Sequence, residues 1–329
     1  MKHMFSVSEV NSMVANGKRL IIAGDKSLLD QIIKGNWIGG TSTYFVTEER
    51  GITTSELLFV QEIPDYCEDI KIIQYNEQTV SNVYNDAYDN GFSVILIPYG
   101  GDILSSFALN VASYPLFASK PLIGWITGFP LETLSDKGAK VFDGKSQTSF
   151  FNNAIVLHVK LPKNKIADID VYNVFDEGSG NEITFQNSGF SQQNVYVNNQ
   201  LINFYEYIRS EKIDIKYPLV GKMSNGINTI VSFKELSEEK KMVYLYTPVF
   251  KDVTYKIAEA DENYIDNLLS NMPLEKDKIL LPYICILHYV YGELEGKINR
   301  KIPECPATFG EIARILLNQT LVCLKVYDK

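Results

Sequence analysis

The sequence predicts a mixed α/β (α+β) protein, with layered sheets covered by helices in two linked subregions. Three observations carry this. Short apolar, strand-like runs recur along the whole chain and alternate with helical spacings. Near the N-terminus a strand leads directly into a capped helix, the order of an α/β layer. Aromatic residues make up 12% of the 329 residues, with 20 Tyr and 17 Phe, and such side chains suit pleated surfaces. At 45% hydrophobic, a chain of this length can bury a substantial core.

The elements follow in order. Ser6-Val7-Ser8-Glu9 is a capping box, in which Ser and Glu satisfy each other's backbone amides. Val10, Met13 and Val14 follow at helical spacing, and Gly17 can end the helix. Arg19 to Gly24 reads as a buried strand. Asp25 then caps a second helix with Leu28, Leu29, Ile32 and Ile33 on one face. Trp37 to Thr47, Glu56 to Ile63 and Ile70 to Tyr75 read as strands. Val80, Val83, Tyr84, Ala87 and Tyr88 return to helical spacing, and Gly91 stops them. Ser93 to Pro98 is a short apolar strand, and Asp102 caps a helix toward Ser113. Trp37-Ile38-Gly39-Gly40-Thr41 is echoed by Leu122-Ile123-Gly124-Trp125-Ile126-Thr127, each a glycine-bearing strand.

Alternating Ile155, Leu157 and Val159 mark another strand, and a seam is expected between 161 and 181. Beyond it, strands are expected at Val195 to Val197, Thr229 to Phe233, Met242 to Tyr246, Val253 to Ile257, Ile279 to Tyr291 and Thr320 to Tyr327. Helices are expected near Ile202 to Ile208, Glu262 to Leu269 and Gly310 to Leu316.

Composition excludes several partners. A net charge of −9 repels phosphate backbones, so nucleic acid and anionic membrane are not expected. The longest basic stretch, Lys297 to Lys301, reads as a solvated turn. The start lacks the apolar run of a signal peptide, and no window approaches ~18 uninterrupted apolar residues, so a cytoplasmic protein is expected. Cys67, Cys285, Cys305 and Cys323 are scattered, without the paired spacing of structural zinc.

Motifs for catalysis are sparse. Ile21-Ile22-Ala23-Gly24-Asp25 and Gly35 to Gly40 lack the Lys-Ser/Thr ending of a phosphate loop. No G-x-S-x-G elbow occurs. The histidines are His3, His158 and His288; His158 alternates with apolar neighbours as an outward or internally satisfied side chain. Cys285 and His288 are three apart and would share a face only in a helix, so a buried structural cysteine is the expectation. No metal or cofactor is expected.

The C-terminal half carries a family resemblance. Asn194-Val195-Tyr196-Val197-Asn198-Asn199-Gln200-Leu201 precedes a helix holding Phe204-Tyr205. Tyr217-Pro218-Leu219-Val220, Thr247-Pro248-Val249-Phe250, Cys285-Ile286, Thr308-Phe309-Gly310-Glu311-Ile312 and Leu317-Asn318-Gln319-Thr320-Leu321 follow in order. This order resembles the FIST C-terminal pattern, with Leu287-His288 standing where that family has Gly-Arg. Ile38-Gly39-Gly40-Thr41-Ser42 and Leu122-Ile123-Gly124 resemble the FIST N-terminal region more loosely. The resemblance is strongest over 180–327 and implies a FIST N-terminal-like region at 1–165 and a FIST C-terminal-like region at 166–329.

It also implies a non-catalytic sensor of a small molecule, such as an amino acid or related metabolite. With no output domain, such a sensor acts through a protein partner or a homo-oligomer. The ligand site is expected where Cys285, Gly310, Glu311, Asn318 and Thr320 converge, facing Gly39, Gly40 and Thr41. Glu311 could receive a ligand amine or complement its own helix, and the glycines permit close approach to a ligand or to another strand. The alternatives are an enzyme using Cys285, assisted by Glu311 or His288, and a protein-binding scaffold without a small ligand.

Overall fold

A computed structural model describes residues 2–133, 138–223, 226, 228–259, 261, 263–270, 278–297 and 301–329. Glu262 of the expected helix and residues 298–300 of the basic stretch lie outside these. Strand outweighs helix, about 42% to 16%, in several mixed sheets: a mixed α/β fold.

The chain forms two compact units. The first comprises Met1–Tyr172, Met272–Ile315 and Thr320–Lys329; the second comprises Asn173–Asn271 and Leu316–Gln319. The first crossing, after Tyr172, falls in the expected window. The units do not follow the 1–165 and 166–329 regions, because the C-terminal segments rejoin the unit that the N-terminus began.

In the first unit, one sheet runs Met4–Phe5, Leu58–Glu62, Leu20–Gly24, Trp37–Thr41, Val141–Asp143, Thr148–Phe150. Leu20–Gly24 and Trp37–Thr41 are parallel. The short helix Lys26–Leu29 lies in their crossover, so the three form a βαβ unit. A second sheet contains, side by side, Glu311–Ala313, Leu122–Thr127, Gly91–Pro98, Ala154–Lys160 and Asp69–Tyr75. Here Gly91–Pro98 and Leu122–Thr127 are parallel, with helix Asp102–Asn110 in their crossover. The echo in sequence thus marks the second strand of each of two βαβ units.

These sheets face one another. A Cβ on Gly40 would lie 2.5 Å from both Thr127 and Trp125 of the other sheet. The opposite face of the first sheet, including Leu20, Ile22, Trp37 and Leu58, packs with Val10, Val14, Leu29 and Ile32 in one buried cluster. A third sheet runs Lys165–Tyr172, Leu321–Asp328, Ile279–Cys285, Cys305–Thr308, Tyr44–Val46, Gly51–Thr53. The second unit has its own core, with Phe185, Phe204, Phe233 and Tyr255 at its centre. Its helix Phe204–Ser210 is capped by the Asn203 side chain.

Several expected elements are corrected. Trp37 to Thr47 is two strands, because Ser42-Thr43 turns the chain between sheets and the Tyr44 amide donates to Ser42 Oγ. The helix from Val80 reduces to a 3₁₀ turn, Val80–Asn82. Asn and Ser side chains compete for backbone there, and Asn76 Oδ1 accepts from the amides of Gln78 and Thr79. Ile279 to Tyr291 is a strand only to Cys285, which then caps helix Ile286–Tyr291. Gly310 to Leu316 is not a helix but strands Glu311–Ala313 and Ile315–Leu317. Pairing of Glu311–Ala313 with Ile123 to Trp125 overrides the local pattern.

Candidate functional site

The two βαβ units place the carboxyl ends of their parallel strands around a cleft of about 270 Å³. Gly24 ends the first strand of one unit and Asp25 and Lys26 follow it, while Thr41 ends its second strand and Ser42 and Thr43 follow that. Gly128, Phe129 and Pro130 follow the second strand of the other unit. Ligands of open α/β sheets bind in such crevices, beyond the carboxyl ends of the strands. The Gly128 amide donates to Thr41 O at 2.8 Å and Thr41 Oγ1 donates to Gly128 O at 2.7 Å, tying the strand ends together.

Most polar groups of the cleft are committed within the chain. Ser42 Oγ donates to Ala307 O at 3.0 Å, and Thr133 Oγ1 donates to Pro130 O at 2.6 Å. Thr43 differs. It is 4% exposed, and its hydroxyl can donate to the neighbouring Tyr44 phenol, but no donor reaches its own oxygen among the described residues. A buried hydroxyl whose lone pairs are unfilled gains when a donor reaches it. Asp25 Oδ1 accepts from the amide and hydroxyl of Ser27 at 2.8 and 2.6 Å, capping the short helix. The Lys26 ammonium is paired with Asp30.

The residues expected to form the site divide three ways. Thr41 lines the cleft. Gly39 and Gly40 do not; a Cβ on Gly39 would meet Trp37 and Leu29, and Gly40 admits the facing sheet, so the close approach is to protein. Cys285, Gly310, Glu311 and Thr320 do converge, with Thr308, but in a closed cluster. Glu311 is 0% exposed. Thr308 Oγ1 lies 3.0 Å from Glu311 Oε1, and Thr320 Oγ1 donates to Oε2 at 2.9 Å. The Cys285 side chain also bonds to this carboxyl. Asn318 belongs to the second unit, where it is 1% exposed. The helix expected to begin at Gly310 is absent, and Gly310 O instead accepts from the Ile126 amide at 2.8 Å.

Burial pushes the Glu311 carboxyl up to about 8, against the hydrogen bonds that favour its ionised form. The geometry accommodates the proton. Thr308 Oγ1 lies 3.2 Å from Gly310 O and 3.3 Å from Ile284 O, so its own hydrogen can go to a carbonyl while its oxygen accepts from Glu311 Oε1. Burial thus favours the neutral acid at Glu311, which closes the interior.

His158 is internally satisfied. Tyr75 donates to Asp86 at 2.8 Å, so its oxygen accepts from His158 Nε2 at 3.1 Å, and Nδ1 accepts from Ser93 Oγ at 2.7 Å. Burial, then the nearby Lys71 charge, holds the imidazole neutral, down at about 3. Cys285 and His288 share the start of a helix, both 0% exposed. Among the described residues no group of three or more His, Cys, Asp or Glu could hold a metal ion, and no helix is long and apolar enough to cross a membrane.

Sequence reasoning missed Asp25, Ser42, Thr43 and Phe129. The signal was present in the strand ending Gly24-Asp25 and in the paired glycine-bearing strands, whose carboxyl ends define where a crevice can form.

Fold and cleft together define a β-rich, mixed α/β protein with paired βαβ units and a crevice at their strand ends. The chain belongs to a family of unknown function, DUF6976, whose model matches residues 5–327. No curated protein and no solved structure matches it.

Proposed function

We propose that this chain is a non-catalytic small-molecule sensor of FIST type, that its ligand occupies the cleft at the strand ends, and that the bound state is passed to a protein partner or a second copy. The observation that carries this is Thr43: a buried hydroxyl on the wall of a crevice, beside the Tyr44 phenol, with no donor to its own oxygen among the described residues. Such a group gains a donor when a polar ligand enters. The ordered FIST-like segments support the sensor class. Against the enzymatic alternative, Cys285 is 0% exposed and its thiol is engaged with Glu311.

A melting screen against amino acids, amines, organic acids and nucleotides tests this. A ligand at a hundred times its dissociation constant adds about 2.7 kcal/mol to stability. Thr43→Val keeps the side-chain shape and removes the hydroxyl oxygen. The variant should stay folded without ligand and should lose most of the ligand-induced shift. A screen without any shift would overturn the sensor reading; a full shift retained by Thr43→Val would remove the ligand from this cleft.

A further inference from the structure

We infer that the cleft selects a ligand bearing an ammonium group on an apolar, aromatic-stacking body, rather than a carboxylate or phosphate. This rests on the cleft being the ligand site and goes further by naming the chemistry it selects.

The charges point this way. Among the described lining residues Lys26 is the cation, and its ammonium is already matched by Asp30 one helical turn on. Asp25 supplies a carboxylate whose Oδ1 takes both hydrogen bonds of the Ser27 cap. Oδ2 stands outside that cap, so among the described lining residues the uncommitted charge is negative. The Thr43 hydroxyl, 4% exposed, can donate to the Tyr44 phenol and has no donor to its own oxygen among the described residues, so it is a second and independent acceptor. An ammonium donates to both; a carboxylate would be repelled by the first.

The apolar wall fits the same ligand. Phe129 lines the cleft, and its ring packs at 5.1 Å from Phe309 and 5.8 Å from Tyr99, which are themselves 5.5 Å apart. These edge contacts hold Phe129 in place as a rigid surface. Aromatic faces attract cations and stack on apolar groups, and they offer nothing to an anion. Gly128 makes the arrangement possible, since a Cβ there would fall 2.4 Å from the Phe309 ring.

Calorimetric titration of the full chain with three probes that share a phenethyl body tests the inference: phenethylamine, 3-phenylpropionate and 2-phenylethanol. The amine should bind at least tenfold more tightly than the acid or the alcohol. Asp25→Asn should weaken the amine at least tenfold, leave the alcohol unchanged and, with the repulsion removed, bind the acid at least as well as the parent does. Asn caps helices as well as Asp does, so the variant should melt like the parent. If it does not, Thr43→Val supplies the same comparison without touching the cap. Acid binding as tight as amine binding, or amine affinity unchanged in both variants, overturns the ammonium assignment. The cleft reading survives that result if Thr43→Val weakens the acid. Failure of phenethylamine to bind also overturns the assignment, and the sensor reading falls with it only if the broad melting screen is blank as well.

Discussion

Glu311 meets Cys285 and Thr320 inside a closed cluster, with Thr320 Oγ1 donating to its Oε2. Its convergence with Cys285 and Thr320 was legible, because Thr-Phe-Gly-Glu-Ile and Asn-Gln-Thr surround short strands that must meet. Its closure was not, since nothing local in sequence records that a carboxyl is sealed from water. The consequence is a defined pH dependence. The group's ordinary value is 4.5 and its folded value is about 8. The folded form therefore binds an extra proton between these values, so the stability it contributes is complete below pH 4.5 and is lost as pH rises through about 8. Inside the window the slope is about 1.4 kcal/mol per pH unit for one group. Glu311→Gln keeps the shape and donates to Thr308 without titrating. Urea melts of the variant should show a shallower loss of stability from pH 5 to pH 8 than the parent; equal slopes would mean that Glu311 is ionised in the folded protein. Of the described cleft-lining residues the sequence points to Thr41 for binding and to Asp25 as a cap, which it is; the place of its second oxygen depends on the fold.

Elements were legible wherever the signal was local. The Ser6–Glu9 capping box forms as expected, with Ser6 Oγ accepting from the Glu9 amide and the Ser6 amide donating to Glu9 Oε2 at 2.8 Å. Ser6→Ala should lower stability by about 1 kcal/mol, read by chemical denaturation. The misreadings came where pairing partners are distant. Glu311–Ala313 is a strand because Ile123 to Trp125 lies beside it, and helix Ile286–Tyr291 interrupts a run whose residues suit a strand equally well. Gly40 illustrates the same dependence on a distant neighbour. Its missing side chain makes room for Trp125 and Thr127, both 0% exposed, across the sheet interface. Gly40→Ala should cost roughly 1–3 kcal/mol through overpacking. A variant as stable as the parent would show that the two sheets can part at that point.

At the scale of the whole molecule, the chain leaves the first unit after Tyr172, returns at Met272, leaves again at Leu316 and returns at Thr320. A composition-based reading sees only a seam, because re-entry depends on which strands pair. The returning Leu321–Asp328 is an interior strand, bonded to Lys165–Tyr172 on one side and to Ile279–Cys285 on the other. Its Val322, Cys323 and Leu324 are 0% exposed. Deleting residues 321–329 should abolish cooperative unfolding of the first unit, seen as lost amide protection in Lys165–Tyr172 and Ile279–Cys285. Retained protection there would show that those strands hold together unaided. On the ribosome this arrangement imposes a wait. The strand at 165–172 emerges more than a hundred residues before the partner it lies against. Through that interval the nascent chain carries an open, hydrogen-bonding edge of the kind that chaperones shield and aggregates exploit.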